Sequence, residues 1–151
     1  MNAQPPLKKP IWTTTPTLEA LEASGRDTLV SYVGIEFLEV GDDFLRARMP
    51  VDKRTIQPAG ILHGGASVVL AETLGSIGAN LCLREPGKAG VGLDINANHI
   101  RSVREGWVYG TARPQHLGSS TQVWEIRIED EQGRLVCISR LTMAIINRPG
   151  S

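Results

Sequence analysis

The chain has 151 residues, 41% of them hydrophobic, and its 16 basic and 16 acidic side chains balance to zero net charge. That length and apolar content suit one domain with its own core, and the absence of a basic excess leaves no footprint for nucleic acid and no polybasic patch for a membrane surface. Cys82 and Cys137 fall in core-like runs and read as reduced thiols of a cytoplasmic protein, Lys8 and Lys9 have no apolar stretch behind them to make a secretory signal, and the three histidines are too scattered for a zinc motif.

Residues 1–16, rich in proline, threonine and lysine, read as a flexible N-terminal arm. Thr17 is placed to cap a short helix over Leu18–Ser24 that Gly25 ends, and Leu29, Tyr32 and Val33 add a second turn before Gly34. Ile35–Val40 reads as a strand and Gly41-Asp42-Asp43 as a hairpin turn. Phe44–Val51 alternates, with Leu45, Ala47, Met49 and Val51 on one face and Arg46 and Arg48 on the other, as a half-buried strand does.

The next stretch, Gln57 to Leu83, carries one formal charge, Glu72. Pro58 and Gly60 mark a turn, and His63-Gly64-Gly65 leads into a helix whose apolar residues (Val68, Val69, Leu70, Leu74, Ile77, Leu81) crowd every face. Thr73, Ser76, Asn80 and its glycines make it a poor membrane span and a better central core helix. An ionised carboxylate in such a helix is costly unless compensated, and Ser76 and Asn80 follow Glu72 at i+4 and i+8 on the same face. Glu72 is therefore either a structural carboxylate satisfied by a neighbour or a reacting group. Gly64 and Gly65 allow close approach to the backbone, and the unpartnered N–H groups of a helix start suit a developing oxyanion; a plain glycine-rich turn is the simpler alternative.

Beyond the helix, Glu85-Pro86-Gly87 breaks the chain, and Val91, Leu93, Ile95 and Ala97 alternate in a strand that continues through His99 and Arg101. Glu105-Gly106 turns it, Trp107–Ala112 forms the next strand, and Pro114 is expected to interrupt. Gln122–Glu129 alternates strongly, Asp130-Glu131-Gln132-Gly133 is a hairpin, and Leu135–Ile146 is the last strand. No repeat or linker divides residues 17–147, and 148–151 form a tail. The fold class is α+β: an antiparallel sheet wrapped around one long helix, its other face solvated or paired because it must hold Arg46, Arg127 and Arg140.

Gln57-x-x-Gly60-x-x-His63-Gly64-Gly65, followed by Glu72 and Ser76, resembles the hotdog-fold acyl-CoA thioesterases, in the branch of 4-hydroxybenzoyl-CoA and 1,4-dihydroxy-2-naphthoyl-CoA thioesterases with a catalytic glutamate. The likeness runs from about Leu18 to Ile146 and takes in Ile95-Asn96-Ala97-Asn98-His99 and His116-Leu117-Gly118-Ser119. It implies a hotdog fold, an acyl-CoA substrate with an aromatic acyl group, no cofactor beyond the coenzyme A of the substrate, and a homodimer or a tetramer of dimers. It also implies that Glu72 attacks the thioester carbon or deprotonates the attacking water, that the Gly64 N–H receives the thioester oxygen, that His63 and Gln57 position thioester or water, and that Ser76 orients the carboxylate or a water. His99 and Arg101 share a strand face, which the likeness places near the acyl pocket and coenzyme; Arg101 and Arg104, with Gly118-Ser119-Ser120, are candidates for the coenzyme phosphates. The proline–glycine tail departs from relatives that carry a further basic residue there.

Gly64 and Glu72 lie eight residues apart on one helix, an axial rise of about 12 Å. A donor and a nucleophile that meet at one carbonyl cannot both come from that helix, so active sites shared across a two-fold dimer interface are expected. The competing readings are a hotdog enoyl-CoA or acyl-carrier hydratase and a non-catalytic acyl-CoA-binding protein. An α/β-hydrolase is excluded because no G-x-S-x-G follows His63-Gly64-Gly65.

Overall fold

A computed structural model of the chain describes residues 9–150. Its elements run α1 (Leu18–Ser24), α2 (Leu29–Tyr32), β1 (Glu36–Val40), β2 (Leu45–Pro50), α3 (Gly64–Leu81), β3 (Lys88–His99), β4 (Trp107–Leu117), β5 (Thr121–Glu129) and β6 (Leu135–Asn147). The strands form one six-stranded sheet in the order β1-β2-β4-β5-β6-β3, every neighbouring pair antiparallel. The sheet curls around α3, the expected α+β arrangement. Residues of the sheet's inner face, among them Leu45, Met49, Val108, Trp124, Ile126, Ile128, Leu141 and Met143, are fully buried against it.

Why α3 sits so deep is written in its small residues. A mid-helix glycine costs about 1 kcal/mol of helix propensity relative to alanine, yet α3 holds two in its buried stripe. A Cβ at Gly75 would come within 2.6 Å of Leu141, and one at Gly78 within 2.7 Å of Trp124, so the helix backbone rests directly on the sheet's side chains. Gln122, buried beneath, accepts from the Trp124 indole and donates to the Ala79 carbonyl at the helix end.

The helix is not buried all round, as its composition predicts. Burial follows one stripe, Ser67, Leu70, Ala71, Leu74, Gly75, Gly78 and Ala79, the i, i+3, i+4 pattern of a helix lying on one surface. The other side is only half covered, though it carries no charge but Glu72. The sheet has a matching gap: β3 pairs with β6 alone, so its other edge is open along 12 residues, with Val91 42% and Leu93 65% exposed. Among the described residues, no helix is long and apolar enough to cross a membrane.

Two further expectations are corrected. Residues 1–8 of the proposed arm lie outside the described residues, but 11–13 are pinned rather than loose. Trp12 is buried, stacks on Trp124 at 6.3 Å and donates to the Gly41 carbonyl, while Ile11 and Thr13 bond backbone groups of Asp42 and Leu81. Pro114 does not stop its strand. β4 continues to Leu117, with a register shift against β5 between Pro114 and His116, and its pairing with β2 has already ended at Ala112. A proline is tolerated at such an edge and bulge position because no ladder bond is asked of it.

Candidate active site

The loop before α3 is built to aim the helix start. Thr55, buried, donates to the Pro50 carbonyl and its own carbonyl receives the His63 N–H; Ile56 bridges to Leu62, whose N–H reaches Val103. His63 is the N-cap, its Nδ1 accepting from the Gly65 N–H at 2.8 Å. An accepting Nδ1 places the ring proton of the neutral imidazole on Nε2. Thus His63 acts first as a cap, and no hydrogen bond from the described residues engages the Gly64 N–H, which stands at the positive end of an 18-residue helix.

A cleft of about 300 Å³ opens at this helix start, and it brings together Gln57, Gly64, His99 and Arg101. The His99 ring lies over Gly64: a Cβ there would sit 2.8 Å from its Nε2. Gln57 spends its carbonyl oxygen on the Ala59 N–H within the turn, which leaves its amide NH₂ as the group available to the cleft. Other residues of the cleft escaped the sequence reading, Ser67, Ile100 and Ser102 among them. Ser67 had a findable signal, since it follows Gly64 by three positions and so shares its helix face.

Glu72 stands apart from this cleft, further along α3, half-buried on the flank that faces the edge strand β3. Its carboxylate makes no hydrogen bond or ion pair with any described residue and rests against the bare Cα of Gly92 in β3. Ser76 makes no hydrogen bond to it; it lines an apolar cleft between α1 and α3. Asn80, the other polar neighbour, is committed elsewhere, exchanging two hydrogen bonds with the Gly90 backbone and so fastening the helix to β3. The remaining candidates are dispersed. Gly118 and Ser119 line a cleft near the C-terminal end of α3 beside Arg84 and Lys88, Arg104 lines another with Trp107 and Arg134, and Ser120 follows Ser119 on its exposed loop. One chain therefore assembles Gln57, Gly64, His99 and Arg101, but not Glu72, Arg104 or the Gly118–Ser120 loop with them.

Neither cysteine competes as a nucleophile. Burial pushes the Cys82 thiol up to about 11, partly offset by Arg84, and burial raises Cys137 as well. The groups suited to acyl transfer are the free N–H of Gly64 and the unpaired carboxylate of Glu72.

The sequence model of the Thioesterase superfamily matches residues 59–137, just over half the chain. The chain belongs to this superfamily. The thioesterase match spans the helix start, Glu72, His99, Arg101 and the Gly118–Ser120 loop. Among curated thioesterases, the chain is 58% identical to the 1,4-dihydroxy-2-naphthoyl-CoA hydrolase of Escherichia coli, over 90% of this chain and 99% of that one. It is 54% identical to a proofreading thioesterase of Cronobacter turicensis, over 90% and 98% respectively. Among solved structures, a Haemophilus influenzae thioesterase superposes with a TM-score of 0.87 at 53% identity, covering 91% of this chain and 95% of its own. The fold is the hotdog fold of these thioesterases.

Proposed function

We propose that this thioesterase hydrolyses aromatic acyl-CoA thioesters, releasing the free acid and coenzyme A, in the cytoplasm and as a homodimer with two shared active sites. The observation that carries the reading is Glu72: the one charge between Arg54 and Arg84, half-buried, unpaired among the described residues, and set against the edge strand β3, whose other edge is open. A carboxylate left unpaired in such a place is available to react. The relatives' activities on aryl-CoA and as thioesterases favour the same chemistry.

In the reaction, the acyl carbon–sulfur bond breaks, a carbon–oxygen bond to water's oxygen is formed, and the thiolate leaves to take a proton. Glu72 either forms the new bond first, as an anhydride that water opens, or takes the proton of the attacking water. The Gly64 N–H, backed by the helix dipole, receives the negative charge that develops on the thioester oxygen. Gln57 and His63 hold thioester or water. Arg101, on the cleft rim, takes the coenzyme phosphates, with Arg104 and Gly118–Ser120 completing that site in the assembly.

The dimer reading rests on how α3 lies along β3. Gly64 meets His99, Glu72 meets Gly92 and Asn80 meets Gly90, so helix and edge strand run antiparallel, side by side. Pairing of two β3 edges about a two-fold axis covers the exposed Val91 and Leu93 and lays two α3 helices next to each other in opposite directions. Gly64 of one copy then approaches Glu72 of the other, closing the gap of about 12 Å within a single helix. The test of function is a panel of acyl-CoA esters followed by thiol release: aromatic acyl groups should turn over with higher kcat/KM than straight-chain ones of equal carbon number. Intact thioesters across the panel would overturn the assignment.

A further inference from the structure

Gly92 occupies an odd place for a glycine. Its backbone does not lie in the left-handed region that favours glycine, unlike that of Gly34, Gly60, Gly87, Gly106, Gly133 and Gly150. It sits inside a 12-residue edge strand, where a residue without a side chain weakens the strand. Space explains it. A Cβ at position 92 would run into Oε1 of Glu72, and no other described group except that carboxyl stands within 4 Å of it. The pairing of β3 with β6 shifts register between Gly92 and Asp94, a bulge that re-aims the strand where the carboxylate meets it.

We propose that Gly92 is a positioning residue for thioester hydrolysis: its bare Cα is the seat of the Glu72 carboxylate and sets where that carboxylate stands beside α3. The proposal rests on Glu72 being the reacting group. The atom a methyl would displace is the end of a flexible side chain, so the damage should fall on chemistry and not on folding. Gly90 supplies the internal control. It is two residues earlier on the same face, and a Cβ there would sit 3.4 Å from Asn80 Nδ2 and 3.5 Å from Met143, ordinary contact distances.

The experiment compares Gly92→Ala, Gly90→Ala, Glu72→Ala, Glu72→Asp and the double variant Gly92→Ala/Glu72→Asp by steady-state thiol release and thermal unfolding. Gly92→Ala should lower kcat by about 100-fold, the cost of shifting a reacting group by roughly 1 Å, with KM and Tm nearly unchanged. Gly90→Ala should keep wild-type kcat. Glu72→Asp withdraws the carboxylate by one methylene and loses activity by itself. Adding Gly92→Ala to it should then cost nothing further, because the shortened side chain no longer reaches the methyl; that failure of additivity is the signature of contact. Wild-type kcat in Gly92→Ala beside an inactive Glu72→Ala would overturn the proposal and leave the function standing. Activity in a folded Glu72→Ala would remove the reading beneath it. Strictly additive losses in the double variant, or a Gly92→Ala chain that does not fold, would assign the glycine to the sheet and overturn the proposal.

Discussion

The two faces of the sheet's protein are finished differently. On the outer face the chain satisfies itself. Arg48 bonds Glu36 at 2.7 Å and lies over the Trp107 ring at 3.9 Å, Arg46 covers Tyr109, Arg113 spans Asp43 and Phe44, and Arg127 approaches Glu129. Arg46, Arg48, Arg113 and Arg127 there each have a carboxylate, a ring or both, and Arg140 stands exposed in water. The α3–β3 side is the opposite. It is largely apolar and open along a strand edge, and Glu72, the one charge of α3, has no partner among the described residues. A surface that carries its own counter-charges needs nothing further. One that strands an unpaired carboxylate beside an uncovered edge has a place for a partner, and in the proposed dimer a second copy with a thioester between the two fills it.

The sharpest way to break that contrast is to remove the unpaired charge. Glu72→Ala should lower kcat by about 10³-fold, within the range that a reacting acid or base supplies. Because no described residue bonds Glu72, its loss orphans nothing, and Tm should hold or rise. Stopped thiol release with an unchanged melting curve is the expected pair of readouts. A fallen Tm would show that Glu72 is structural after all, like the charges of the outer face.

That contrast was only half visible in the residues. The composition of 57–83 picked out α3 and Glu72 because a single charge in a long apolar run must be either satisfied by a neighbour or put to use. It also suggested burial on every side, since a single chain cannot say whether an apolar face is covered by itself or by a copy. The strands were readable where they alternate, as Gln122–Glu129 does, and misread at Pro114, where the missing N–H matters only if a partner asks for it. Trp12 was lost in a proline-rich segment because its partners, Gly41 and Trp124, are distant in sequence. Among the site residues, His99 over Gly64 and Gly92 under Glu72 are tertiary meetings with no local trace. Glycines at 90 and 92, alternating in a strand, are the kind of pattern that marks a close approach, but the sequence reading passed over them.

A second test asks whether the open side is completed by a copy. Gly64→Pro would suit a helix's first position on helical grounds, but any Cβ at residue 64 meets the His99 ring at 2.8 Å, so Gly64→Ala already suffices to spoil the cleft. Glu72→Ala and Gly64→Ala should each be inactive alone. Co-expressed, they pair at random and about half the dimers are mixed; in each mixed dimer one site inherits both defects and the other neither, so roughly a quarter of wild-type activity should return. Stable mixed dimers with no recovery would mean that each chain holds a whole site, and the open side would then need another explanation.

The smallest effect should come from the self-sufficient region, and it should touch stability alone. Asp130, buried just after β5, holds the β5–β6 hairpin by accepting from the Gln132 and Arg134 N–H groups and from the Arg134 guanidinium at 2.7 Å. Burial pushes its carboxyl up, but the Arg134 backbone and side-chain bonds outweigh that and hold it below the usual carboxylate range. A depressed folded-state pKa means stability that is fully present above the unfolded value, near 3.9, and lost as pH falls through the folded one. Asp130→Asn keeps an oxygen for the two backbone donors and gives up only the charge. The Tm gap between wild type and variant should therefore be constant from neutral pH to about 5 and close as pH drops below about 4. At neutral pH kcat should be unchanged. A gap that persists at the lowest pH would mean that hairpin shape, not the ion pair, is what the substitution removed; a fallen kcat would mean that the finished side of the molecule is not independent of the open one.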